Sequence, residues 1–80
     1  MKLLSGHKTK NIRYFGIDMT VRESVKFLAT DEDGEVYGFD MKPTTKATFW
    51  HVSEYAYDFV ADVDLEGMDW KDTLVELPVL

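Results

Sequence analysis

The chain is predicted to be mainly β: a small antiparallel meander of four or five strands, open or curled into a partly closed barrel, with a short C-terminal helical turn. Three stretches carry this expectation. Val25 to Phe39 is two apolar runs around Asp-Glu-Asp-Gly, Ala47 to Val52 is rich in β-formers, and from Tyr55 to Leu65 apolar side chains recur at every second residue. Strict alternation of that length is the mark of a strand whose two faces meet different surroundings.

The central hairpin has a definite register. Asp31 suits the first position of a type I turn, because its carboxylate can accept from the backbone two residues on, and Gly34 can adopt the left-handed conformation that closes such a turn. The expected loop is therefore Glu32 to Gly34 with a bulge, setting Asp31 opposite Glu35, Ala29 opposite Tyr37 and Phe27 opposite Phe39. That register gathers Phe27, Ala29, Tyr37 and Phe39 on one face. A tighter turn on Asp33 and Gly34 would face Phe27 with Asp40 and waste the aromatic. The same carboxylates invite a calcium reading, which spacing rejects. Placing Gly34 on the glycine of an EF-hand loop puts Ala29 at the first ligand position and Asp40 where a bidentate Glu belongs.

The remaining segments follow in chain order. Residues 1–10 hold Lys2, Lys8 and Lys10 among small polar residues and read as a flexible basic arm, with residues 11–80 forming a single β-rich domain. Asn11 to Met19 is expected to be one strand bent or bulged at Gly16. Thr20 to Ser24 reads as a short connection or helical turn. Pro43 lacks an amide proton and restricts Lys42, so Asp40 to Lys46 is expected to be a loop before the strand at Ala47. In the long alternating segment, Tyr55, Tyr57, Phe59, Ala61, Val63 and Leu65 take one side. Asp58, Val60, Asp62, Asp64 and Glu66 take the other. After Gly67, Asp69 can cap a short helix carrying Trp70, Thr73, Leu74 and Leu77 on one stripe. A final strand from Thr73 to Leu77 is the alternative, and both stay open.

Composition narrows the function. Eighty residues with eleven aromatics (five Phe, four Tyr, two Trp) make one small domain whose thin core is filled by large rings. The absence of cysteine excludes disulfides and thiolate metal sites and fits a reducing compartment. No apolar run reaches membrane-spanning length. The net charge of −6 is unevenly spread: Lys2, Lys8, Lys10 and Arg13 at the head, eight carboxylates against Lys71 alone in residues 51–80. His7 and His51 have no partner at metal-binding spacing, Ser53 has no glycine-lined elbow, and no glycine-rich phosphate loop exists. No cofactor and no enzymatic activity are expected.

The segments Ala29-Thr30-Asp31-Glu32-Asp33-Gly34-Glu35-Val36-Tyr37, Trp50, and Asp69-Trp70-Lys71-Asp72-Thr73-Leu74 resemble a diffuse group of small proteins encoded by tailed bacteriophages. The likeness covers the last two-thirds of the chain. Its motifs are structural, and it brings no catalytic residue. It implies a phage accessory protein acting in the host cytoplasm, where small acidic β-domains often inhibit a host enzyme or defence system by binding it.

The leading expectation is thus a non-catalytic module that binds and inhibits or redirects a host bacterial protein, with no direct nucleic-acid or membrane binding. Trp50, Tyr55 and Tyr57 are candidate contacts, because amphipathic aromatics dominate binding hot spots. Two alternatives stand beside it. Asp58, Asp62, Asp64 and Glu66 on one side of a regular strand would form a file of charge about 6.6 to 6.8 Å apart, a layout suited to imitating DNA phosphates. Two-sided apolar strands such as Thr48 to Val52 would also suit a self-assembling subunit or homodimer.

Overall fold

A computed structural model describes residues 1, 8–53 and 57–78. Within them the chain is antiparallel β throughout, with one 3-10 turn. Strands β1 (Thr9–Tyr14) and β2 (Ile17–Arg22) form a first hairpin. Where one bent strand was expected at Gly16, the chain reverses instead. Phe15 (φ 48°) and Gly16 (φ 78°) are both left-handed, the geometry of a two-residue turn matched to strand twist. A bulky residue there is strained, by roughly 1 to 2 kcal/mol. Edge-on packing of the Phe15 ring against Tyr14, centroids 4.8 Å apart, accompanies the strain. The reversal makes Ile12 and Met19 cross-strand partners, so one face of the hairpin is apolar. Thr20 to Arg22 belong to β2 and only Glu23 and Ser24 turn.

The last two residues of the expected basic arm belong to the sheet structure. Thr9 and Lys10 lie in β1, and Lys10 Nζ donates to the Val25 carbonyl at 2.7 Å. Residues 2–7 lie outside the described residues.

Strands β3 (Phe27–Thr30) and β4 (Glu35–Phe39) pair as their turn chemistry dictates, with Phe27 opposite Phe39 and Ala29 opposite Tyr37. Asp31 N–H donates to the Glu35 carbonyl at 2.9 Å and Gly34 N–H to the Asp31 carbonyl at 3.0 Å. Gly34 is left-handed (φ 88°), and a Cβ there would overlap the Val63 carbonyl, so both conformation and space demand glycine.

The third hairpin departs from expectation. Thr44–Lys46 is strand β5, paired with β6 (Phe49–His51) across a turn at Ala47 and Thr48. Pro43 precedes β5, so its missing amide costs no ladder bond, and the β-branched Thr44 and Thr45 are free to pair. Strand β7 (Tyr57–Asp62) adds to β4 and ends three residues before Leu65. The two C-terminal alternatives both occur, in succession. Asp69 caps a 3-10 turn (Trp70–Asp72), its carboxylate accepting from Lys71 N–H at 3.0 Å, and β8 (Val75–Glu76) then pairs with β3.

The central sheet runs β7-β4-β3-β8, and neither it nor the two hairpins closes into a barrel. It is apolar on both sides. On one, Leu28 and Val36 meet Tyr14, Met19 and Val21 of the first hairpin, together with Val25 and Leu77. On the other, Ala29 and Phe39 meet Trp50 and Trp70. The two sides expected for the Tyr55 to Leu65 segment, one apolar and one carrying Asp58, Asp62, Asp64 and Glu66, therefore give way to a sheet between two covers.

A buried polar cluster ties the covers to the sheet. Thr30 N–H donates to Thr73 Oγ1 at 2.8 Å, Tyr14 Oη donates to the Thr73 carbonyl at 2.7 Å, and Trp50 Nε1 donates to the Thr30 carbonyl at 3.0 Å. With its only proton given to Thr73, Tyr14 Oη accepts from Thr30 Oγ1 at 2.8 Å. Burial pushes the Tyr14 phenol up from its ordinary pKa, the bonds to Thr30 and Thr73 opposing that rise. No buried side-chain nitrogen or oxygen among the described residues lacks a partner.

Candidate protein-binding surface

The aromatic side of the sheet is only partly covered. Trp50 and Trp70 sit over Ala29 and Phe39, their rings perpendicular with centroids 6.1 Å apart. Beyond them the rings of the edge strand emerge. Tyr57 is 45% and Phe59 55% exposed. Both meet Tyr37 edge-on, at 5.9 and 5.8 Å between centroids, and Tyr57 also meets Phe39 at 6.2 Å. Phe49 on β6, 41% exposed, flanks a groove whose other wall includes Tyr37 and Tyr57. Exposed large rings in one contiguous patch are uncommon on a small domain and mark contact surfaces.

A bulge creates this arrangement. Along β4 and β7 the partners are Tyr37 with Phe59 but Val36 with Ala61, so Val60 is an extra residue on β7. Val60, Ala61 and Val63 all pack on the first core, so the alternation legible in the sequence breaks at Val60. Tyr57 and Phe59 then lie on the Tyr37 side, and Asp62, opposite Glu35, joins them there.

The anticipated carboxylate file does not form. Asp58, opposite Gly38, lies on the other side of the sheet and pairs with Arg22 at 3.1 Å. Asp64 and Glu66 follow the strand, in a turn where Asp64 Oδ1 accepts from Glu66 N–H at 2.8 Å and Glu66 has φ 50°. Asp62 alone of the four shares a face with the exposed rings. Of the aromatic candidates, Trp50 is 9% exposed and anchors the core, Tyr57 is at the surface, and Tyr55 lies outside the described residues.

Sequence reasoning missed Phe59, Tyr37 and Glu35 as surface residues. Register placed Tyr37 with the apolar face, but nothing local showed that cover would stop short of β7. Glu35 Oε2 accepts from Tyr37 Oη at 2.7 Å. That bond to an anion favours the protonated phenol and, with burial and nearby carboxylates, pushes the Tyr37 pKa up to about 12.

Asp31, Asp33 and Glu35 bring carboxylate oxygens within 4.8 Å of one another at the end of this face. Each has local work. Asp31 Oδ1 accepts from Trp50 N–H at 2.8 Å, Asp33 Oδ1 from Glu35 N–H at 3.1 Å, and Glu35 holds Tyr37. Burial first, then repulsion from Asp33 and Glu35, raises the Asp31 carboxyl above its ordinary pKa, against the opposing bond from Trp50. Three carboxylates this close concentrate negative charge at the edge of the patch. Comparison with protein-family models, with curated proteins and with solved structures found no match.

Proposed function

We propose that this chain is a non-catalytic binding module: a phage accessory protein that engages a host bacterial protein through the Tyr37, Tyr57 and Phe59 face and inhibits or redirects it in the host cytoplasm. The observation that carries the reading is the exposure of Tyr57 and Phe59 on an edge strand, beside a groove that Tyr57 lines together with Tyr37 and Phe49. Large rings on a rigid sheet bind at low entropic cost, because few side-chain torsions remain to be frozen. The hairpin turn and the Asp69-Trp70-Lys71 turn that resemble the phage group both serve the scaffold here. Among the described residues no helix is long and apolar enough to cross a membrane.

A bacterial lysate passed over the immobilised protein, at low and moderate salt, tests the reading. A stoichiometric partner retained by the parent and lost by Tyr57→Ser/Phe59→Ser, with the circular dichroism of the fold preserved, is expected. Absence of any partner at both salts overturns it. The DNA-mimic alternative is weakened by the dispersal of Asp58, Asp62, Asp64 and Glu66.

A further inference from the structure

We infer that the aromatic face receives a lysine- or arginine-bearing segment of a partner protein, laid across Tyr37, Tyr57 and Phe59 with its cations against Glu35 and Asp62; this rests on the binding reading above. Charge complementarity identifies the occupant. Glu35 and Asp62 are direct cross-strand partners on the Tyr37 side, a like-charge pairing that destabilises a sheet. Asp31 and Asp33 crowd the Glu35 carboxylate from the turn. Among the described residues the ion pairs are Arg13 with Asp18 and Arg22 with Asp58, and none of these four carboxylates is paired with a cation of the described residues.

The negative cluster and the rings are one surface, not two neighbouring ones. Tyr37 joins them, its hydroxyl bound to Glu35 and its ring packed on Tyr57 and Phe59. A cation within about 6 Å of an exposed ring face is attracted by the ring quadrupole, and a carboxylate beside it adds direct attraction. Other ligands fit less well. Four carboxylates repel the phosphates of a nucleic acid, and rings set at 74° and 77° to Tyr37 form no flat platform for a sugar. A second copy of this chain carries the same net charge of −6.

The test uses the full chain, isotope-labelled, titrated with two synthetic decapeptides that alternate valine with lysine or valine with glutamate. The lysine peptide is expected to shift backbone amide resonances of residues 35–39 and 57–62, with affinity falling as salt rises, and the glutamate peptide to shift none of them. Glu35→Gln/Asp62→Asn is expected to weaken the lysine peptide at least tenfold while leaving the spectrum of the free protein folded. No shift with the lysine peptide, equal response to both peptides, shifts centred on residues 64–72, or undiminished binding by the double variant would each overturn the inference. Failure here is distinguishable from failure of the broader reading. A lysate partner lost by Tyr57→Ser/Phe59→Ser but kept in full by Glu35→Gln/Asp62→Asn would leave the binding module standing and remove the cationic segment.

Discussion

The two sides of the central sheet are made from the same strands and are finished differently. On the side of Leu28 and Val36, the first hairpin lays Tyr14, Met19 and Val21 over the sheet and the bulge at Val60 adds an extra apolar residue to the same core. On the side of Ala29 and Phe39, two tryptophans cover the middle strands and leave the rings of β7 in solvent. The closed side is mostly aliphatic and the open side aromatic. The difference teaches that burial on this sheet is decided by where the covering hairpins end, and not by the hydrophobicity of the strand beneath.

Leu28→Ala offers the harshest way to break that comparison. Leu28 is fully buried in the closed side, so its truncation should cost about 2 to 5 kcal/mol in urea unfolding. The open-side counterpart, Phe59→Ser, should cost under about 1 kcal/mol. Equal costs would mean the two sides are not finished differently at all.

Between these lies the polar cluster that fastens the C-terminal segment. Thr73→Val removes the acceptor of Thr30 N–H and should cost about 1 to 3 kcal/mol, because a buried donor loses its partner. A concurrent red shift of tryptophan emission is expected, since Trp50 Nε1 shares the Thr30 carbonyl. Unchanged emission with unchanged stability would show that this fastening is dispensable.

A smaller gain sharpens the picture of the open side. Asp62→Asn removes one of two like charges facing each other across β4 and β7 and should stabilise by about 0.2 to 1 kcal/mol at low salt, less at high salt. Loss of stability would mean that Asp62 has a favourable partner in the folded chain.

The gentlest probe is alkaline titration. The Tyr37 phenol, raised from 10.0 to about 12 by the Glu35 carboxylate, favours the folded state fully below pH 10, and that contribution is lost as pH rises through 12. Absorbance titration compared with Tyr37→Phe should isolate this late transition, and Glu35→Gln should bring it back toward 10. The Asp31 carboxyl, also raised, works in the same direction at the acid end. Its contribution is present below the ordinary carboxylate range and fades as pH climbs through its raised value.

How much of this was legible in the sequence varies by element. The β3 and β4 pairing was readable because Asp31 and Gly34 specify their turn locally and burial parity admits one register. The cap at Asp69 was readable for the same reason. The reversal at Phe15 and Gly16 was not, since a glycine after an aromatic fits a bend, a bulge or a turn equally well until its partner strand is known. The surface was half visible: Tyr57 and Asp62 were named as candidates, but Phe59 beside Tyr57 was not, and the four acids were assigned to one file.

The sequence by itself determined the β class, the central hairpin and its register, and the cap at Asp69, because each rests on interactions among residues a few positions apart. Only the tertiary structure decided which rings reach solvent and which carboxylates share their face. Alternation from Tyr57 to Leu65 is unbroken in the chain, and the bulge that breaks it arises where Val60 finds a better place in the core than on the open side. That choice depends on the shape of a hairpin some forty residues earlier, which no local pattern encodes.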